Sequence, residues 1–130
     1  MSNRQLLIID DEEDICETIA EIAESRGITV KVLTDSTSVA ETLQSFVPDA
    51  IILDLLMPGT DGVELLRVIA ASAKQARIAI MSGSDARVLN SARKLGAAHG
   101  LNVIAAIEKP IELAVLRSTL DLLVGQAPAA

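Results

Sequence analysis

The chain of 130 residues contains neither tryptophan nor tyrosine, and Phe46 is its only aromatic residue. A core must therefore be filled by Leu, Ile, Val and Ala, a composition that suits a buried parallel sheet covered by helices. Cysteine is almost missing too: Cys16 stands alone, so no intrachain disulfide can form, and its neighbours Ile15 and Ile19 mark it for core packing. His99 is the single histidine, which leaves no His and Cys cluster to hold zinc. No run approaches the ~20 apolar residues that span a bilayer, and no basic segment precedes a long apolar one at the N-terminus. These absences lead us to expect a cytoplasmic protein with no membrane partner. Positive charge is scarce as well. With 11 basic against 18 acidic residues the formal charge is -7, which argues against direct nucleic-acid binding through a phosphate-neutralising patch.

What is present is aliphatic and periodic. Half of the residues are hydrophobic (50%), enough at this length for one sizeable core. Leu6 to Ile9 reads as a first strand, and residues 13 to 26 as a helix with Ile15, Ile19 and Ile22 on one face, ended by Gly27. Ile28 to Leu33 is a β-branched strand. Ser36 is the expected N-cap of a second helix carrying Val39, Leu43 and Phe46, closed by Pro48. Ala50 to Leu53 is a third strand; after the turn at residues 57 to 62 a helix turns Leu66, Ile69 and Ala73 inward. Ile78 to Met81 makes a fourth strand, and residues 85 to 98 a helix with Val88, Ala92 and Leu95 on one side. Val103 to Ile107 is the fifth strand, and Ile111 to Val124 a last helix with the stripe Leu113, Leu116, Leu120 and Leu123. Five strands that read as apolar throughout, each followed by an amphipathic helix, predict a doubly wound α/β domain with a five-stranded parallel sheet and five helices. One domain over residues 1–124 is expected, with residues 125–130, rich in small residues and proline, as a tail or the start of a linker.

In such sheets the functional site lies at the carboxyl ends of the strands. The first strand ends in Asp10-Asp11-Glu12-Glu13-Asp14, the third in Asp54, the fourth in Ser82-Gly83 and the fifth in Glu108-Lys109-Pro110. Taken singly, an acidic run before a helix is N-terminal charge complementarity, and Ser82 and Lys109 are a turn residue and a solvated charge. Convergence changes the balance, because like charges at adjacent strand ends repel unless a cation holds them. Oxygen-only ligands suit Mg²⁺, with Mn²⁺ the alternative. Such an ion, with Lys109 beside it, would let a phosphoryl group approach an aspartate.

The pattern Ile8-Ile9-Asp10-Asp11-Glu12, Asp54-Leu55-Leu56-Met57-Pro58 with Asp61-Gly62, Ser82-Gly83 and Lys109-Pro110 resembles the CheY-like receiver domains of two-component response regulators over nearly the whole chain. The resemblance implies a flavodoxin-like fold with strand order 2-1-3-4-5. It implies Asp54 as phosphoacceptor, and Asp10, Asp11, Asp54 and the Leu56 backbone carbonyl as the Mg²⁺ site. Lys109 would pair with the phosphoryl group, Ser82 would hydrogen-bond it, and Gly83 would leave room beside it. The Lys109-Pro110 bond would be cis. A histidine kinase or histidine phosphotransfer protein would be the phosphodonor, and an output domain beyond residue 130 or a homodimer the means of response. Beyond this self-catalysed phosphorylation and dephosphorylation, no enzyme activity is implied.

Two positions depart from that pattern. Many receivers carry an aromatic residue three before the lysine, where this chain has Ala106, and the Gly96 to Asn102 segment reads as a long connection into the fifth strand. His99 within it is expected to cap or to be solvated. Other α/β classes fit less well. A flavin binder needs a phosphate cradle where Asp10 to Asp14 would repel one; a haloacid-dehalogenase-like phosphatase needs an acid where Leu56 stands; a Toprim-type enzyme needs an Asp-x-Asp element. The principal alternative keeps the receiver fold as an interaction or dimerisation module whose output does not depend on phosphorylation.

Overall fold

The computed structural model describes residues 4–83 and 86–124. The expected tail at 125–130 and the first residue of the helix predicted from 85 lie outside them. Ten elements alternate: β1 (Gln5–Ile9), α1 (Glu13–Ser25), β2 (Thr29–Leu33), α2 (Val39–Ser45), β3 (Ala50–Asp54), α3 (Gly62–Ser72), β4 (Arg77–Ser82), α4 (Ala86–Ala98), β5 (Asn102–Glu108) and α5 (Leu113–Val124). The strands form one parallel sheet in the order β2-β1-β3-β4-β5. Both the fold class and the strand order are those expected.

Strand alternation divides the core into two layers. Leu7, Ile9, Ile51, Leu53, Ile78 and Ile80 face α2, α3 and α4, whereas Leu6, Ile8, Ala50, Ile52, Ala79 and Met81 face α1 and α5. Only the three inner strands are buried along nearly their whole length, Gln5 and Arg77 at the starts of β1 and β4 excepted. The edge strands β2 and β5 are half exposed, a correction to the uniform pattern, because an edge lacks a neighbour on one side and its helices cover it incompletely.

Helix boundaries follow local chemistry. Gly27 adopts φ +80 after α1, its N–H bonding the Glu24 carbonyl at 3.0 Å while Ile28 N–H reaches Ala23 at 3.2 Å, a left-handed C-terminal stop. Helix α2 starts at Val39, three residues past the expected Ser36 cap. The Asp35 carboxylate instead accepts the Thr37 N–H at 2.9 Å, which holds the chain in a turn, and Ser36 accepts the Thr60 hydroxyl at 2.8 Å. Asp61 caps α3, accepting from Val63 N–H at 2.9 Å and Glu64 N–H at 3.4 Å.

Three stripe assignments shift. In α4 Leu89 and Gly96 are buried, Ala92 and Leu95 pack partly, and Val88 is 37% exposed. In α1 the buried positions are Cys16, Ile19 and Ala23, with Ile15 and Ile22 at the margin. In α5 Leu113 is 55% exposed and Thr119 joins Leu116, Leu120 and Leu123 inside, its hydroxyl donating to the Val115 carbonyl.

The segment from Gly96 to Asn102 is not a long connection. Helix α4 runs to Ala98, and Gly100 (φ +79) closes it through N–H bonds from Gly100 to Ala97 and from Leu101 to Gly96. The additional length lies in β5. Ile78 pairs with Val103 and Ala79 with Ala105, which leaves Ile104 as a bulge. The bulge puts Ile104 and Ala105 on the α1/α5 side together, and returns Ala106 to the α4 side.

Candidate functional site

Four strand ends meet at the carboxyl rim. Asp10 follows β1, its backbone N–H bonded to the Leu33 carbonyl at 3.1 Å, and its side chain is fully buried. One carboxylate oxygen, Oδ1, accepts the Glu12 N–H at 2.9 Å. Asp54 ends β3 and is 2% exposed; its Oδ1 accepts the Leu56 N–H at 3.0 Å. The two aspartates are thus held alike, each tied by a backbone amide two residues on, with Oδ2 left for other partners.

Lys109 is that partner. Its backbone N–H bonds the Ser82 carbonyl at 2.9 Å, which fastens the end of β5 to the end of β4, and the following bond to Pro110 is cis. The ammonium Nζ lies 3.0 Å from Asp10 Oδ2, 3.0 Å from Asp54 Oδ2 and 3.1 Å from Glu12 Oε1. Ser82 is buried at the end of β4, one residue beyond Met81, which pairs with Asp54. Burial alone would lower the lysine pKa, but the contacts with Asp10, Asp54 and Glu12 outweigh it and hold the value above the ordinary one. Burial pushes the Asp54 carboxyl above the usual carboxylate value; the Leu56 N–H and Lys109 oppose this, and the Asp10 charge adds to it. Beneath the rim, burial raises the Cys16 thiol to about 11, with Asp10 contributing, and Sγ donates to the Asp10 carbonyl at 3.2 Å.

Carboxylate oxygens of Asp10, Asp11, Glu12 and Asp54 all lie within 4.8 Å of one another. Asp10 Oδ2 is buried and faces the Lys109 ammonium, with Nζ at 3.0 Å. The buried carboxylates of Asp10 and Asp54 beside the exposed carboxylate of Asp11, with no nitrogen or sulfur ligand in the group, fit a hard divalent cation. The fold therefore brings together the sequence candidates Asp10, Asp11, Asp54 and Lys109, and sets Ser82 at the same rim. Leu56 lies beside them with its side chain 52% exposed and its N–H engaged by Asp54. Glu12 was given no role from sequence. Its position two residues after Asp10, where its N–H meets the Asp10 carboxylate, is the signal that places it at the rim.

The fold and this rim define a signalling domain of the doubly wound class. Residues 6–121 match the family described as response regulator receiver domain, and the chain belongs to that family, the receiver domains of two-component response regulators. The transcriptional regulatory protein FixJ of Azorhizobium caulinodans is 33% identical over 124 residues, covering 92% of this chain and 54% of FixJ. The crystal structure of a response regulator from Colwellia psychrerythraea is 33% identical with TM-score 0.76, covering 94% of this chain and 97% of that one. A Burkholderia pseudomallei response regulator, whose structure contains a phosphorylated aspartic acid, calcium ion and citrate, shares the fold at TM-score 0.77 and 22% identity, over 96% of this chain and 69% of that one. This chain spans about half the length of FixJ.

Proposed function

We propose that this receiver accepts a phosphoryl group on Asp54 from a histidine kinase or histidine phosphotransfer protein, with Mg²⁺ at the rim, and relays the change to an output domain or partner. The observation that carries the reading is the contact of one ammonium, Lys109, with both buried carboxylates, Asp10 and Asp54, within a group of four acids whose oxygens lie within 4.8 Å of one another. Asp10, Asp11, Asp54 and the Leu56 carbonyl would hold the cation, which when bound supplies the positive charge that lets an anionic phosphoryl group approach carboxylates.

The protein's own residues do the rest. Lys109 and the Leu56 N–H offset the effect of burial and keep an Asp54 oxygen available as nucleophile. That oxygen attacks phosphorus in line; the new P–O bond forms as the P–N bond of phosphohistidine breaks, and its electron pair returns to the imidazole. Lys109 takes one equatorial oxygen and the Ser82 hydroxyl donates to another. Water later attacks the acyl phosphate and restores the carboxylate, so the domain catalyses its own modification and turns over no separate substrate. The phosphorylated aspartate in the Burkholderia structure is in keeping with this chemistry. The phosphodonor and output would lie in the cytoplasm; no helix among the described residues is long and apolar enough to cross a membrane. Exposed Val115 and Leu122, on one side of α5, offer an apolar face for a partner or a second copy.

Incubation with acetyl phosphate and Mg²⁺ tests the assignment by intact mass. The wild type should gain one phosphoryl group and the Asp54→Asn variant none; equal addition to both would overturn it. Ala106 favours a second reading, a module whose contacts do not depend on phosphorylation, because a methyl group has no rotamer with which to report movement at Ser82. That reading requires partner binding or dimerisation to be the same in Asp54→Asn and in the acetyl phosphate-treated wild type.

A further inference from the structure

Glu12 occupies the N-cap position of α1, yet its side chain makes no capping hydrogen bond. The carboxylate instead crosses to Lys109, 97 residues away in sequence, at 3.1 Å. It is the most solvent-exposed of the three carboxylates on that ammonium, 56% against 0% for Asp10 and 2% for Asp54. Asp10 and Asp54 are fixed on their strand ends by backbone N–H hydrogen bonds to Oδ1, whereas among the described residues the Glu12 carboxylate is held by Lys109 alone. Glu12 is therefore the arm of this cluster that can move without disturbing the sheet.

We infer that Glu12 is a positioning residue that holds Lys109 while the site carries no phosphoryl group and gives it up when one arrives. The inference rests on the phosphoacceptor reading above. An incoming phosphoryl oxygen needs the ammonium, so it competes with the Glu12 carboxylate for the same protons and meets its negative charge. A Glu12 carboxylate oxygen also lies within 4.8 Å of Asp10, Asp11 and Asp54 oxygens, so its charge favours a divalent cation at that rim. One side chain thus opposes the phosphoryl group and assists the metal. A purely structural role for Glu12 would not move those two affinities in opposite directions.

The test uses Glu12→Gln, which keeps the shape and removes the charge, and Glu12→Ala, which also removes the contact to Lys109. Mg²⁺ alone, and then beryllofluoride at saturating Mg²⁺, are titrated into each protein and followed by backbone amide NMR shifts. Relative to wild type, both variants should bind Mg²⁺ more weakly and beryllofluoride more tightly, each by about two- to five-fold, the scale of a partly exposed ion pair. Unchanged or weakened beryllofluoride binding in the variants, with wild type binding normally, would overturn the role of Glu12 and leave the acceptor reading standing. Failure of wild type itself to bind beryllofluoride would remove the acceptor reading and this inference with it.

Discussion

Cys16 shows how far one residue's behaviour follows from its place. Its thiol is buried under the rim and raised to about 11, so it stays protonated and shielded at neutral pH. Native protein at pH 8 should resist iodoacetamide over a time in which urea-unfolded protein is fully alkylated; equal rates would contradict the packing. Asp54 has the same sign of shift with a different consequence. Because its folded value lies above the usual one, the unfolded chain loses this proton first as pH rises. Its contribution to stability therefore falls from the ordinary carboxylate value upward through the raised folded value. Ionised Asp54 is a cost at neutral pH, and Asp54→Asn should raise the melting temperature in EDTA. Lys109→Met should do the opposite. It strips a 10% exposed cation from the two buried carboxylates and should cost about 3 kcal/mol, within the range for breaking a buried pair. Thermal denaturation in EDTA reads the first and urea denaturation in EDTA the second.

At the scale of elements, caps and close approaches decide boundaries. Asp61→Ala removes the acceptor for the first amides of α3 and should cost about 1 kcal/mol in urea denaturation. A Cβ placed on Gly96 would stand 2.7 Å from Val103 Cγ2, so α4 crosses β5 where a side chain is missing. Gly96→Ala should destabilise the protein despite the better helix propensity of alanine, because valine is stiff at χ1 and cannot swing away. A gain in stability would show that the helix shifts at no cost. Such features mark the limit of sequence reading. Element order and type were legible because aliphatic runs bounded by Gly, Pro and Asp carry their own period. The start of α2 was not, since Ser36 reads as an ordinary cap until Asp35 takes the Thr37 amide and the helix begins at Val39. Nor was the β5 bulge, because Ile104 and Ala105 read as ordinary alternation until pairing with β4 exposes the extra residue. Val88 and Leu113 fit helical stripes but lie where the neighbouring layer ends.

For the whole molecule, parallel pairing from β2 to β5 brings residues more than ninety positions apart in sequence, Glu12 and Lys109, to one contact. The site was legible as far as motif residues at strand ends could be aligned: Asp10, Asp11, Asp54, Ser82 and Lys109 all fall at the predicted rim. The role of Glu12 was hidden because an acid at a helix start has an ordinary capping explanation, which only the side-chain geometry removes. The same geometry makes Mg²⁺ binding a stability measurement. At a hundredfold excess over its dissociation constant the ion should stabilise the fold by about 2.7 kcal/mol, and Asp11→Asn should reduce that gain. A melting temperature indifferent to Mg²⁺ in wild type would contradict the metal reading.

The central claim is that Asp54 itself carries the phosphoryl group. Borohydride reduction after treatment with acetyl phosphate and Mg²⁺ converts an aspartyl phosphate to homoserine, which peptide mass spectrometry can locate. The account predicts homoserine at position 54 in a Mg²⁺-dependent yield; reduction at another carboxylate, or none at all, would contradict it.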